Sequence, residues 1–200
     1  KFRHPKTGAM SSALAVTTSN QGVVIVDPAG LPAAELSPAN DGYHVILCAG
    51  ESHVAGRGTL DTSVDVCDGR ILQFGCASAD ARYQTLFQGL DPLHHPEGVA
   101  TGKNGPSSWF ARHYLATHPS CPGVVIVPMG YGSTKLVDGP APYWSPVLGA
   151  GYALAISQTN SAIAAAKALL PNSRFVGVMW QQGANDVNLK ISEAAYKDQL

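Results

Sequence analysis

Residues 43–58 decide the fold of this chain, and they read Tyr-His-Val-Ile-Leu-Cys-Ala-Gly-Glu-Ser-His-Val-Ala-Gly-Arg-Gly. The first seven residues form an almost continuous apolar run, which is typical of a strand buried on both faces of a parallel sheet. Gly50 then opens a tight turn that presents Ser52 at the start of a helix. A strand, a tight turn and a helix start in this order predict the first unit of an α/β sheet.

The alternation of apolar runs and helical stretches continues along the chain. Further strands are predicted at 70–74, 123–127 and 175–180. One helix begins at Pro106, where the missing N–H costs nothing, and stops before Pro119, while an Ala-rich helix covers about 151–170. Parallel strands joined by crossover helices form an open sheet, and such sheets bind ligands at the carboxyl ends of their strands.

The first 42 residues differ from the rest. They are rich in Ala, Ser, Thr, Gly and Pro and contain one β-like run, Val23–Val26. We interpret 1–42 as a leader or small β appendage that acts as a connector, and 43–200 as the main domain. A chain of 200 residues is the size of one domain with such an appendage.

Composition and charge exclude several classes of protein. Hydrophobic residues make up 45% of the chain and charged residues 14%, so the chain can bury a core. A net charge of −1 supplies no field for nucleic acid, so no nucleic-acid partner is expected. No apolar run approaches the roughly 20 residues that cross a bilayer, so no membrane partner is expected, and Lys1–Pro5 lacks the apolar region of a signal peptide. The four cysteines lie at no metal-ligand spacing, and their redox state stays open.

Three loops at the predicted carboxyl ends of strands carry polar residues suited to acyl transfer. Ser52 follows the first strand and is either a nucleophile or a helix N-cap. A glycine-rich loop, 128–135, follows the strand at 123–127 and either approaches a ligand closely or is only flexible. Side-chain amides in 181–186 follow the last strand and either stabilise an oxyanion or build a turn. Together the three loops favour the catalytic interpretation.

Several motifs extend this pattern in the order expected of one family. They are Gly50–Gly58, Asp91–His95, Gly105-Pro106, Phe110–Arg112, Val127–Thr134 and Trp180–Gly183. Over about residues 43–190 they resemble the blocks of the sialate O-acetylesterase-like carbohydrate esterases, a branch of the SGNH (GDSL-like) hydrolase superfamily. The resemblance implies a three-layer α/β/α sandwich with a mostly parallel central sheet. It also implies a serine esterase that removes O-acetyl groups from a carbohydrate, without a metal or organic cofactor.

The resemblance also assigns roles to individual residues. Ser52 matches the nucleophile, and Gly132 matches a glycine whose backbone N–H lies in the oxyanion hole. Asn185 matches the superfamily's Gly-x-Asn-Asp pattern and is the expected third oxyanion donor, with Gln182 as the alternative. Beside the nucleophile this chain departs from the branch, because Glu51 stands where the branch has Gln and His53 where it has Asn.

The expected general base is missing from these motifs. In the superfamily it is a histidine in an Asp-x-x-His block near the C-terminus, and this chain has no histidine after His118. We expect the catalytic Asp and His after Leu200, with the domain truncated there. Asp91 and His94 have the same spacing, but their position before the second block indicates a loop that lines the substrate cleft.

Four residues are predicted to bind substrate: Arg57, His94, His95 and Tyr131. Arg57 is expected first to pair with a neighbouring carboxylate such as that of Asp186. Tyr131, Tyr143 and Trp144 lie in the loop after the third strand, where they either stack on a sugar or pack in the protein. Helical spacing instead predicts Trp109, Phe110 and Tyr114 in the core.

Two alternatives to a free-standing esterase stay open. One is a non-catalytic carbohydrate-binding module of the same fold. The other is an esterase domain of a tail-fibre-like or adhesion-like structural protein that forms homo-oligomers through the leader and acts on acetylated surface polysaccharide. The leader's composition favours an extracellular protein or one attached to a virion or cell surface. The sequence does not separate O-antigen, xylan, pectin and sialic acid as the acetylated partner.

Overall fold

The computed structural model describes residues 16–18, 24–26, 42–66, 68–137, 144–146 and 149–199. Its strands are β1 (Val16–Thr18), β2 (Val24–Val26), β3 (His44–Gly50), β4 (Gly58–Thr59), β5 (Ile71–Phe74), β6 (Leu86–Gln88), β7 (His94–His95), β8 (Gly98–Val99), β9 (Lys103–Asn104), β10 (Val124–Gly130) and β11 (Arg174–Gln181). Its helices are α1 (Ser52–Ala55), α2 (Pro106–Thr117), α3 (Ala150–Leu169), α4 (Ala184–Asn188) and α5 (Glu193–Lys197).

Seven of these strands form the central sheet, in the order β1-β2-β6-β5-β10-β3-β11. The four strands predicted from the apolar runs lie side by side and are parallel, whereas β6 is antiparallel to β5. Strands β1 and β2 come from the segment interpreted as a leader, and they extend the sheet beyond β6. Two small two-stranded antiparallel sheets, β4-β9 and β7-β8, lie outside this sheet, and only β7-β8 is a hairpin.

The two faces of the sheet are covered by different helices because successive strand residues point to opposite sides. Val45 and Ala49 of β3 pack in a core that includes the alanines of α3, while Ile46 and Cys48 pack in a second core with Ala111 and Leu115 of α2. Small alanine side chains let α3 lie close to the sheet. The predicted α/β fold, with a mostly parallel sheet between helices, is confirmed.

Strand β11 is less buried than an apolar strand of a parallel sheet usually is. Phe175, Val178 and Trp180 are each more than a third exposed. The reason is that β11 lies at the edge of the sheet and pairs with β3 alone among the described strands. Within the described residues, none of the helices has both the length and the apolar character needed to cross a membrane.

Candidate active site

The carboxyl ends of three parallel strands meet at one point. Gly50 at the end of β3 is paired with Gly130 of β10 on one side and with Gln181 of β11 on the other. The loops that follow these residues therefore leave the sheet next to one another. As a result, the structure brings together the three polar segments that the sequence singled out.

Two glycines make this close approach possible. Gly50 has a φ of 144°, and a Cβ there would lie 1.9 Å from the carbonyl oxygen of Gln181. A Cβ at Gly130 would lie 2.4 Å from the backbone nitrogen of Ala55 in α1. Residues with a side chain do not fit at either position. The loop after β3 can thus turn sharply and start α1 at Ser52 between the neighbouring strand ends.

Ser52 is half-buried at the first position of α1. In the part of the chain that the structure describes, no hydrogen bond joins its hydroxyl to a histidine. The structure therefore places Ser52, the predicted nucleophile, in the expected turn. None of the described histidines is in position to act as its general base. The predicted Asp-His pair after Leu200 lies outside the described residues.

Glu51 is a site residue whose role the sequence did not reveal. Its carboxylate is 2% exposed and accepts hydrogen bonds from the backbone nitrogen of Ala184, at 2.9 Å, and from Nδ2 of Asn185, at 2.8 Å. This side chain therefore ties the loop after β3 to the loop after β11. The available signal was the replacement of the branch's Gln by Glu, but a substitution does not indicate its partner.

The two candidate amide donors are held differently. Besides its bond to Glu51, Asn185 Nδ2 makes only a long contact of 3.3 Å with the carbonyl oxygen of Thr134. Gln182 Nε2 donates to Asp186 at 2.5 Å, and Gln182 Oε1 accepts from the Tyr196 hydroxyl at 2.8 Å. Both the nitrogen and the oxygen of the Gln182 side-chain amide are thus hydrogen-bonded. By contrast, one N–H of Asn185 makes only a long, weak hydrogen bond.

Arg57 lies beside a carboxylate, as expected, but that carboxylate belongs to Glu97 and not to Asp186. Asp186 is buried, and its carboxylate accepts bonds from the backbone nitrogens of Leu136 and Val137, both at 3.1 Å. It therefore anchors the loop after β10. Arg57 instead lies with Nη2 3.6 Å from Oε1 of Glu97.

Gly132 also contacts Glu97. The backbone nitrogen of Gly132 donates to Glu97 Oε2 at 2.5 Å. Both Gly132 and Arg57 are thus bound to one carboxylate, which comes from the turn between β7 and β8. This arrangement shows that the backbone N–H of Gly132, in the glycine-rich loop 128–135, can hold a carboxylate oxygen.

The two histidines predicted to bind substrate are both buried. His95 is 1% exposed, and its Nδ1 accepts a bond from the backbone nitrogen of Gly130 at 2.9 Å. Burial, with added repulsion from His94 and Arg57, lowers the pKa of His95 to about 3, so the ring is neutral. His95 therefore supports the end of β10 from within the protein and offers almost no surface to a substrate.

His94 does not pair with Asp91. Its Nδ1 lies 3.5 Å from Oδ2 of Asp80, and burial lowers its pKa. The carboxylate of Asp91 accepts a hydrogen bond from the Ser108 hydroxyl instead. The Asp-x-x-His spacing inside this chain consequently does not form a dyad.

The aromatic residues do not all lie where the sequence placed them. Trp144 is 3% exposed, with Nε1 donating to Thr134 Oγ1 at 3.0 Å, so it packs inside the protein. Tyr131 is half-buried against the α3-side core, and Tyr143 lies outside the described residues. Trp109 and Phe110 were predicted in the core but are 44% and 39% exposed.

Trp109 lines an open cleft of about 640 Å³ beside the loop after β3. The side chains around it include His53, Arg57, Asn104, Trp109, Met179 and Gln181. Trp109 Nε1 donates to Asp65 at 2.8 Å, which fixes the orientation of the indole. The volume lies within the range of about 300–1,000 Å³ that small-molecule sites occupy. In the described ranges, no group of three or more His, Cys, Asp or Glu residues is arranged to hold a metal ion.

Comparisons with known proteins support the same fold. A family model described as carbohydrate esterase, sialic acid-specific acetylesterase, matches residues 42–200. The chain is similar to the crystal structure of NanS, with 21% identity and a TM-score of 0.62 over 80% of this chain. It is also similar to the X-ray structure of a protein from Arabidopsis thaliana, with 19% identity and a TM-score of 0.51 over 73% of this chain. The chain spans 59% of the length of each of these structures, and no curated protein matches it.

Proposed function

The chain belongs to the carbohydrate esterase family of sialic acid-specific acetylesterases, and on that premise we propose that it is a serine esterase that removes O-acetyl groups from a carbohydrate. The observation that carries the proposal is the pairing of Gly50 with Gly130 and Gln181. This pairing brings the loops of Ser52, Gly132 and Asn185 to adjacent strand ends, where a nucleophile and oxyanion donors must meet.

In the proposed reaction, the Ser52 hydroxyl attacks the acetyl carbonyl carbon and transfers its proton to a general base. The carbonyl oxygen becomes an oxyanion, which the backbone N–H groups of Ser52 and Gly132 and the side-chain amide of Asn185 stabilise. The sugar oxygen leaves with the proton from the base, and acetyl-Ser52 remains. Water then attacks this ester, releases acetate and restores the Ser52 hydroxyl.

The base in this proposal is a histidine held by an aspartate. None of the described histidines is bonded to Ser52, so we retain the expectation that an Asp-x-x-His pair after Leu200 supplies it. Glu51 contributes by holding one N–H of Asn185. The other N–H, which makes only a 3.3 Å contact with Thr134, is the one that turns to the oxyanion.

The proposed substrate is an acetylated sugar within a glycan, with the cleft beside Trp109 taking a sugar ring. The Trp109 indole is 44% exposed, with the Arg112 guanidinium over its ring at 4.6 Å from the centroid. Its exposed surface suits the apolar face of a pyranose, while Arg57, Asn104 and Gln181 provide groups for the sugar hydroxyls. A location outside the cell or on a virion surface, and oligomerisation through residues 1–42, remain parts of this proposal that rest on the composition of the leader.

A carbohydrate-binding module without catalysis is the second candidate. It is favoured by the fact that the expected oxyanion donors already have partners, since Gly132 donates to Glu97 and Asn185 donates to Glu51.

The two candidates predict different results in an activity assay, because only the esterase hydrolyses an ester. We expect the full-length protein to hydrolyse 4-nitrophenyl acetate and Ser52→Ala to lose that activity, with the exposed Ser63→Ala as the matched control. Equal hydrolysis by wild type and Ser52→Ala would refute the esterase mechanism.

A further inference from the structure

The carboxylate of Glu97 occupies a position suited to an anion beside Gly132 and Arg57. Its Oε2 accepts the backbone N–H of Gly132 at 2.5 Å, and its Oε1 lies 3.6 Å from Nη2 of Arg57. A Cβ built on Gly132 would lie 2.8 Å from the Glu97 oxygen and 3.0 Å from the Arg57 nitrogen. We call the Gly132 N–H and the Arg57 guanidinium the anion seat, and the Glu97 carboxylate fills it.

The proposed esterase mechanism requires the same N–H for the oxyanion. A backbone amide has one hydrogen to donate, so it cannot hold Glu97 and a substrate oxygen at full strength at the same time. An ester that reacts at Ser52 must therefore first displace the Glu97 carboxylate from Gly132.

The position of Glu97 allows that displacement. It lies in the turn between β7 and β8, which are joined by pairing of His94 with Val99 and of His95 with Gly98. Its side chain is a quarter exposed. Rotation of the side chain into solvent leaves this strand pairing intact, because both pairs are formed by other residues. Only the contacts with the anion seat are lost.

Resting on the proposed function, we propose that Glu97 is an internal competitor for the anion seat and thereby determines which ligands enter it. It excludes weakly bound esters from Gly132, and it returns to the seat to displace acetate after hydrolysis. Acetate has the same carboxylate chemistry as the end of the Glu97 side chain. The apparent affinity for either ligand is then reduced by the fraction of time that Glu97 leaves the seat free.

The kinetic test compares wild type with Glu97→Ala in the full-length protein. We expect Glu97→Ala to lower both the KM for 4-nitrophenyl acetate and the inhibition constant of acetate, each by about tenfold, because the seat is then always free. Glu97→Gln should lower them less, by about threefold, since a neutral amide oxygen accepts a weaker bond. Glu193→Ala, which removes an exposed carboxylate paired with Lys197, is the matched control and should match wild type.

A KM that is unchanged or higher in Glu97→Ala, with turnover still dependent on Ser52, overturns the inference while the proposed function stands. Binding without turnover is tested separately by following the Gly132 amide in an NMR titration with acetate. We expect that resonance to shift at lower acetate concentration in Glu97→Ala than in wild type. Equal titration of the two proteins overturns the inference, whereas absence of turnover in wild type overturns only the esterase.

Discussion

The carboxylate of Glu51 lies 2.8 Å from the side-chain amide nitrogen of Asn185, 134 residues away along the chain. With the second bond to the backbone nitrogen of Ala184, this contact fixes the loop after β11 against the loop after β3. The residue beside the proposed nucleophile, Ser52, thus also positions a candidate oxyanion donor.

Loss of the Glu51 carboxylate should destabilise the protein. In Glu51→Ala, the backbone N–H of Ala184 and the side-chain amide of Asn185 lose the buried carboxylate that accepts from them, so we expect the free energy of unfolding to fall by about 2–4 kcal/mol. Urea unfolding monitored by fluorescence measures the change. Glu51→Gln keeps one acceptor oxygen and should lose less. A Glu51→Ala protein as stable as wild type would show that these bonds contribute nothing.

Replacement of each amide should identify the oxyanion donor. We expect Asn185→Ala to lower kcat by about a hundredfold with little change in KM, because an oxyanion donor acts in the transition state. Gln182→Ala should affect kcat less, since the Gln182 amide is held by Asp186 and Tyr196. Steady-state kinetics on one acetyl ester would decide between them, and the opposite ranking would assign the role to Gln182.

The buried His95 should make stability depend on pH. Its pKa is about 3 in the folded protein and near 6.5 in the unfolded chain, so between these values the unfolded state binds more protons. Above pH 6.5, His95 is neutral in both states and the free energy of unfolding has its full value. As the pH falls from 6.5 towards 3, the free energy of unfolding decreases by up to about 1.4 kcal/mol per pH unit.

The difference between wild type and His95→Gln isolates this contribution from that of other titrating groups. Glutamine retains an oxygen that can accept from Gly130 but does not titrate. Urea unfolding at several pH values between 4.5 and 7.5 should give a shallower decline for His95→Gln. Parallel curves for the two proteins would mean that His95 titrates normally in the folded state.

Trp109 should matter for sugars and not for small esters. We expect Trp109→Ala to raise the KM for an acetylated oligosaccharide by about tenfold, since an aromatic platform in the cleft is lost, with hydrolysis of 4-nitrophenyl acetate nearly unchanged. Phe110→Ala removes a similarly exposed ring next to it in α2 that does not line the cleft, and is the matched control. An equal change in the KM for the oligosaccharide in the two variants would show that the sugar does not bind in this cleft.

The main elements could be predicted from sequence because their signals are local. The apolar runs of β3 and β10 are continuous, and Pro106 and Pro119 bracket α2. Strand β6 escaped prediction because it has only three residues and gains its stability from pairing with β5.

The contacts of the site could be predicted only where a motif specified them. The partner of Arg57 was misassigned because Glu97 is 40 residues away and reaches it through a hairpin turn. Trp109 was placed in the core because helical spacing shows which residues share a face, but not whether another element covers that face. His95 accepts from the backbone nitrogen of Gly130, and Glu51 accepts from a backbone nitrogen and from a side chain 134 residues away. Neither kind of contact leaves a trace in a local sequence pattern.

The most direct test of the esterase mechanism is to look for the acetyl group on Ser52. The full-length protein would be mixed with an acetylated glycan, quenched in acid within its first turnovers, digested and analysed by mass spectrometry. We predict that the peptide containing Ser52 carries one acetyl group, and that Ser52→Ala neither gains this group nor releases acetate. Release of acetate by Ser52→Ala at the wild-type rate would contradict the mechanism.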